Sequence, residues 1–348
     1  MTIVGGFDVH RAQITFDYVE TDSGQVTAGQ IRPATRSALR NWLQRFDGRE
    51  DVAFAVEGCT GWRFVVEEFV RAKVEPHLAE PADTANLRGR KKRAKTDRAD
   101  ARLLRELLAQ QRLPESWAPP SHVLEVRTLG RLYVTLMDER RAWQQRMHAQ
   151  LFHQGVPSVR ALLTSDGRVA LAKAELSPAG VQMLQTALAA VESLTLQILP
   201  LRAQLQTIGC NQPAVVALTQ QYGLGLLSGT IIWAELGDCR RFSNSDQAVR
   251  FAGLDVTVWS SDTKRSAGRL ARQGSPELRW ALFEAAKCAA RQTSPDHDYY
   301  EAVRDRLGGK RPALSVARKL VRRCYHILRE LGDQAWQAPL THPSQAAA

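Results

Sequence analysis

The stretch Arg88–Arg105, RGRKKRAKTDRADARLLR, constrains the fold more than any other part of this 348-residue chain. From Thr96 onward, Asp100, Leu103, Leu104 and Leu107 recur at i, i+3, i+4 and i+7, the spacing of one apolar helix face. Asp97 precedes Asp100 by three residues, so both carboxylates point toward the side that the leucines bury. A buried carboxylate without a partner is strongly disfavoured. Either this helix docks where a cation meets both acids, or the aspartates occupy its first turn because the helix dipole favours them there. The residues alone leave both readings standing. Upstream and along the same stretch lie Arg88, Arg90, Lys91, Lys92, Arg93, Lys95, Arg98, Arg102 and Arg105. A basic run of this density suits a polyphosphate partner, because each neutralised phosphate releases condensed counterions.

The whole chain shares that bias. A net charge of +11 and a pI near 9.8 point to nucleic acid or another anionic surface. A hydrophobic fraction of 44% with 24% charged residues is that of a globular protein, and the length allows two or three domains. No apolar run approaches the roughly 20 residues of a membrane span, so no membrane partner is expected. The start, MTIVGGFDVHRAQ, lacks the basic head and apolar core of a secretory signal, which implies a cytoplasmic, nucleoid-associated protein. Cys59, Cys210, Cys239, Cys288 and Cys324 are widely separated and lack zinc-site spacing, so reduced thiols are expected.

Residues 1–112 read as α/β. Ile3–Val9 is a short apolar run containing Asp8; Ile14, Phe16 and Tyr18 alternate with polar residues, and Val26 and Ala28 continue the alternation beyond a TDSG turn. Leu39, Trp42, Leu43 and Phe46 mark a helix face, Val52–Val56 a strand ending at Glu57 and Gly58, Trp62, Val65, Val66 and Phe69 another helix face, and Pro76–Glu80 a strand. This order is compatible with a ribonuclease-H-like sheet. If the first and fourth strands are neighbours, Asp8 and Glu57 sit side by side and join Asp97 and Asp100. Four carboxylates suit two Mg²⁺ ions about 4 Å apart, the arrangement that clamps both oxygens in phosphodiester transfer. Taken singly, each acid is equally at home as a loop residue or a cap.

Residues 113–210 read as helical, set off by prolines 114, 119 and 120. Leu184, Leu188, Val191, Leu194, Ile198, Leu201 and Leu205 form a coiled-coil or bundle seam, serving either an internal core or an oligomer contact. Pro200 is expected to interrupt it. Residues 211–335 read as a second basic helical domain, with a helix–glycine-turn–helix around Tyr222–Gly225. There follows an extended segment and loop that set Ser260 and Ser261 beside Lys264, Arg265, Arg269 and Arg272. A serine attacks a phosphodiester only when its proton is removed and the developing charge is stabilised, a task for neighbouring cations and a metal. Ala313–Glu330 reads as a basic amphipathic helix on which Arg318, Lys319, Arg322 and Arg323 either lie against a phosphate backbone or form a solvated face. Asp296 reads as a helix-capping turn, and residues 336–348 as a disordered tail.

Taken in order, GFDVH (Gly6–His10), AVEGCTGW (Ala55–Trp62), KTDRADARLL (Lys95–Leu104), YGLGLLSG, AELGDCRRF, GLDVTVWSSDTKRSAGRLARQG and ARKLVRR resemble the insertion-sequence transposases of the IS-one-ten family, which includes the Piv-type DNA invertases. The likeness covers most of the chain and is weakest from about 113 to 210. It implies a RuvC-like domain at 1–112 whose acids Asp8, Glu57, Asp97 and Asp100 bind Mg²⁺. It further implies a helical linker at 113–210 and a transposase domain at 211–335 whose serine links covalently to DNA, with Ser261 at the family position. Implied partners are donor and target DNA, a structured noncoding bridge RNA, and further copies of the chain, as dimers assembling to tetramers. Trp259 stands where tyrosine is common, Asp262 where glycine is common and Val256 where proline is usual. Two other readings fit the residues: a RuvC-like nuclease or junction resolvase in which water attacks, and a nucleic-acid-binding protein without chemistry.

Overall fold

A computed structural model describes residues 2–87, 96–157, 159, 161–257, 260–261, 264–265, 269–271 and 274–338, with backbone alone at 257, 260, 261, 264, 265 and 269. The chain separates into two compact units, Met1–Ala118 and Pro119–Ala348.

The first unit is built on a mixed sheet. Strands β1 (Ile3–Val9), β2 (Ile14–Glu20) and β3 (Val26–Ile31) form an antiparallel meander. Helix α1 (Arg36–Leu43), strand β4 (Val52–Glu57), helix α2 (Trp62–Arg71), strand β5 (Glu75–Ala79) and helices α3 (Pro81–Asn86) and α4 (Asp97–Ala109) follow. The sheet order is β3-β2-β1-β4-β5, with β4 parallel to both β1 and β5. Order and sense are compatible with the ribonuclease-H-like arrangement expected from the sequence.

Alternation along β1 divides its side chains between two layers. Phe7 and Val9 enter a core with Phe16, Trp42, Phe54 and Phe69, contributed by β2, α1, β4 and α2. The Phe7 ring lies 4.9 Å from that of Phe54, 5.0 Å from Phe69 and 5.3 Å from Trp42, all edge-on. Such pairs contribute about 0.5–1.5 kcal/mol each beyond area burial. The opposite face carries Gly6, Asp8 and Ala55 and is covered by α4.

Helix α4 lies very close to this face. A Cβ on Gly6 would fall 2.2 Å from the Ala101 carbonyl oxygen and 2.7 Å from the Arg105 nitrogen, so the contact is backbone against backbone. Leu104 packs on Ala55 and Ala79. Arg105, part of the basic run in the sequence, is buried here instead of facing a phosphate: its guanidinium lies 2.8 Å from buried Asp17, the cross-strand partner of Gly6. Removing one member of such a pair typically costs about 3–5 kcal/mol. Thr96 caps the helix by accepting from the Ala99 N–H at 3.2 Å.

In the second unit, helices α5 (Ser121–His153) and α7 (Pro178–Cys210) pair along their lengths, with α6 (Ser165–Ala172) between them in sequence. Met147 and Leu151 of α5 share a cluster with Leu184 and Ala187 of α7. The leucine seam therefore has partners within the chain, and Val191, Ile198, Leu201 and Leu205 are buried. The expected break at Pro200 does not occur: α7 runs through it. Proline removes one backbone donor and crowds the preceding turn, and here packing against α5 and α9 (Leu226–Leu236) outweighs that local cost. In length and composition α7 also satisfies the requirement for a bilayer span, yet it carries Glu192, paired at 2.7 Å with Arg168 of α6.

Helices α8 (Pro213–Leu218) and α9 pack with α7; α10 (Ser245–Phe251) leads into the short strands β6 (Val256–Thr257), β7 (Ser260–Ser261), β8 (Lys264–Arg265) and β9 (Arg269–Leu270). Helices α11 (Pro276–Ala286), α12 (His297–Leu307) and α13 (Arg311–Leu331) complete the unit. Replacing Gly6 by alanine will force α4 away from the sheet; a loss of about 1–3 kcal/mol in chemical denaturation is expected for such overpacking, and an unchanged midpoint would contradict the close approach.

Candidate metal and catalytic site

The acidic site lies where β1 and β4 end beneath the N-terminus of α4. Asp8 is buried and points from the α4 side of β1. The parallel β1–β4 ladder ends at Phe7 opposite Val56, and one step further brings Asp8 beside Glu57. Glu57 is half-buried, on the same face as Ala55. The Cys59 thiol is pushed up by burial first and then by the charges of both Asp8 and Glu57, so the two carboxylates act on one point.

Helix α4 supplies the remaining acids from its first turn. Asp97 and Asp100 are half-buried at the sheet edge, less enclosed than the apolar stripe implied, because the helix begins where the sheet ends. Both the dipole reading and the cation reading therefore describe the same two residues: they occupy the first turn and face Asp8. Burial raises the Asp8 pKa; His10 counteracts this, while Asp100 and Asp97 push it further up. Among the described residues, Asp8, His10 and Asp97 converge, with ligand atoms within 4.8 Å of one another. His10 Nε2 is 3.1 Å from Asp8 Oδ2 and 3.6 Å from Asp97 Oδ1. Glu57 and Asp100 flank that triad without belonging to it.

A divalent cation fits this arrangement. The donors are carboxylate oxygens, with one imidazole. Acids crowded until one resists ionisation are relieved by a positive ion. Thr15, opposite Asp8 in the β1–β2 ladder, adds a fully buried hydroxyl that has no hydrogen-bond partner among the described residues. The sequence reading missed His10, although its position two residues after Asp8 was visible; the turn that brings it back over Asp8 was not.

The described residues of the serine segment form two nested ladders. Val256 and Thr257 pair with Leu270 and Arg269, and within them Ser260 pairs with Arg265 and Ser261 with Lys264. Ser261 thus occupies a defined backbone position, cross-strand from Lys264. Arg272, like Arg88, Arg90, Lys91, Lys92, Arg93 and Lys95, lies outside the described residues.

The basic face of α13 holds its own unit together. Arg318 donates to the Leu254 carbonyl at 2.6 Å, and Arg322 donates to Asp246 at 2.9 and 3.0 Å. Lys319 lies 2.8 Å from buried Asp296, which also accepts from Arg323 at 2.6 and 2.9 Å. Asp296 occupies the N-cap position of α12 but makes no side-chain cap bond; its carboxylate is spent on α13, whose cations hold its pKa down.

Two family models match the chain. Residues 5–153, containing the acidic site, match a DEDD transposase model, and residues 216–301, containing the serine ladders, match the model described as transposase IS116/IS110/IS902 family. The chain thus carries two regions similar to IS110/IS116/IS902 family transposase domains. One relative, y4rJ of Sinorhizobium fredii, bears a transposase name and is 29% identical over 236 residues, covering 61% of this chain and 59% of its own length. The insertion element IS110 43.6 kDa protein of Streptomyces coelicolor is 27% identical over 133 residues, covering 37% of this chain and 32% of its own. The matched parts therefore span less than two thirds of either relative.

Because the Asp8 pKa is raised in the fold, the cation-free protein loses stability as pH rises from the ordinary aspartate range through the raised value. Bound cation reverses the penalty. At a cation concentration 100 times its Kd, the wild type is expected to gain about 2.7 kcal/mol. In the Asp8→Asn protein that gain will vanish while cation-free stability at neutral pH is kept or increased. Melting curves with and without Mg²⁺ across pH check this, and an equal gain in both proteins would contradict it.

Proposed function

We propose that this chain is a Mg²⁺-dependent DNA transposase of the IS110/IS116/IS902 family that cleaves and exchanges strands through a covalent serine–DNA link. The observation that carries the reading is the meeting of Asp8 and Asp97, flanked by Glu57 and Asp100, on a desolvated sheet edge. Asp8, Glu57, Asp97 and Asp100 hold the metal in this reading. When bound, Mg²⁺ neutralises charge on the phosphoryl oxygens and stabilises the leaving oxygen. Asp8, fixed by β1, and Asp97, fixed by α4, set the position of the scissile phosphate.

Ser261 supplies the nucleophile. Its Oγ–P bond forms as a sugar O–P bond breaks, its proton is lost to a base, and the departing sugar oxygen is protonated. A second sugar hydroxyl then attacks the phosphoserine and releases the serine. Lys264, Arg265, Arg269 and Arg272 neutralise the phosphate around it. Arg88, Arg90, Lys91, Lys92, Arg93 and Lys95 hold the nucleic-acid backbone. Arg318, Lys319 and Arg322 take a smaller part, since each already has a protein partner.

The reading assigns the RuvC-like catalytic domain to 1–112, the helical connection to 113–210 and the serine domain to 211–335. Donor and target DNA are the substrates. Guidance by a structured noncoding RNA, and assembly of dimers into a tetramer, rest on the family resemblance.

The test incubates full-length protein with Mg²⁺, element-flanking RNA, donor and target DNA. Wild-type protein is expected to yield an adduct mapped to Ser261; Ser261→Ala should abolish the adduct, and Asp97→Ala should lower strand cleavage by at least about 100-fold. Undiminished cleavage by Ser261→Ala would favour water as nucleophile, and undiminished exchange by Asp97→Ala would remove the metal site from the chemistry.

A further inference from the structure

We propose that Gln13, held by Arg32, is a positioning residue that decides which oxygen of Asp97 is offered to the cation. The inference rests on the acidic site being a cation site, as read above. Residues 10–13 form the turn between β1 and β2, closed by the His10 N–H donating to the Gln13 carbonyl at 2.9 Å. That turn folds two side chains toward the start of α4. His10 lies 3.6 Å from Asp97 Oδ1, and the Gln13 Nε2 amide donates to Asp97 Oδ2 at 3.0 Å. The two oxygens of one carboxylate thereby have different neighbours: Oδ2 is tied to the turn by Gln13, and Oδ1 lies nearest His10, whose ring also meets Asp8.

The orientation of the Gln13 amide is fixed by its other neighbour. The β2–β3 ladder ends at Ile14 opposite Ile31, and one step beyond it Arg32 reaches Gln13. The Arg32 guanidinium donates to Gln13 Oε1. Arginine has donors only, so it selects the amide oxygen and turns the amide NH₂ group toward Asp97. Were the amide reversed, its oxygen would face a carboxylate and its NH₂ a guanidinium, two repulsive contacts. Arg32, Gln13 and Asp97 thus form a directed chain from the end of β3 to the first turn of α4. The link matters because the close backbone approach of α4 to β1 lies farther along, at Gly6. Partners behind a metal-binding carboxylate commonly tune metal affinity or activity 10–100-fold.

The test uses the full-length protein and Mn²⁺ alone as probe, with free Mn²⁺ counted by electron paramagnetic resonance. Gln13→Met keeps the length of the side chain and removes both hydrogen bonds. The expected result is Mn²⁺ binding weakened about ten-fold or more, with an unchanged cation-free melting temperature. In the strand-cleavage reaction kcat should fall while KM for DNA stays constant. Arg32→Met should show the same pattern at smaller size, because the amide remains but loses its fixed orientation. Unchanged Mn²⁺ affinity in Gln13→Met would overturn the proposal, as would a loss matched by a lowered melting temperature, which denotes a merely structural role. Asp97→Asn is measured alongside. If it leaves Mn²⁺ binding intact, the cation site itself is refuted; if it abolishes binding while Gln13→Met does not, only the positioning role falls.

Discussion

The site depends on the approach of α4 to the central strand. Gly6 has no side chain, so the backbone of α4 at Ala101 and Arg105 can press against β1, and Asp17 and Arg105 pair beneath the contact. The convergence of the acids follows from that seat. Lifted away, α4 would separate the first-turn aspartates from the strand-borne Asp8, and the desolvation that raises the Asp8 pKa would be lost. The aromatic core on the other face supplies the rigidity: Phe7 anchors β1 in a nest of edge-on rings, which fixes its neighbour Asp8 on the opposite side.

The arrangement is electrostatically unfinished without a positive charge. Asp8, Asp97 and Asp100 repel one another at an edge where one of them is already buried, and His10 together with the Gln13–Arg32 pair compensates only in part. Proteins hold like charges this way where binding or chemistry requires them. The second unit shows the contrast. There Asp296 is equally buried but fully answered by Lys319 and Arg323, so it is a structural tie.

Much of this was legible in the sequence. Alternation at Ile14, Phe16 and Tyr18 marked β2, apolar runs marked β1 and β4, and the 100, 103, 104, 107 spacing marked α4. Asp8 and Glu57 were legible as strand-end acids because parallel neighbours align their ends. The contributions of His10 and Gln13 were not, since they act through a turn whose geometry no periodicity encodes. The acids that Arg105, Lys319 and Arg322 meet were not legible, because a basic residue gives no sign, in sequence, of a distant partner. Pro200 misled for a related reason: local propensity is weaker than the packing of a long helix between two others.

The central claim is that the acids of β1 and α4 form one cation site before any nucleic acid is present. Anomalous scattering from crystals of the full-length protein soaked in Mn²⁺ tests it most directly. The account predicts a peak in contact with carboxylate oxygens of Asp8 and Asp97, at about the 2.0–2.2 Å expected for hard divalent ions. A well-ordered α4 with no peak at these residues, or a peak confined to other acids, would contradict it.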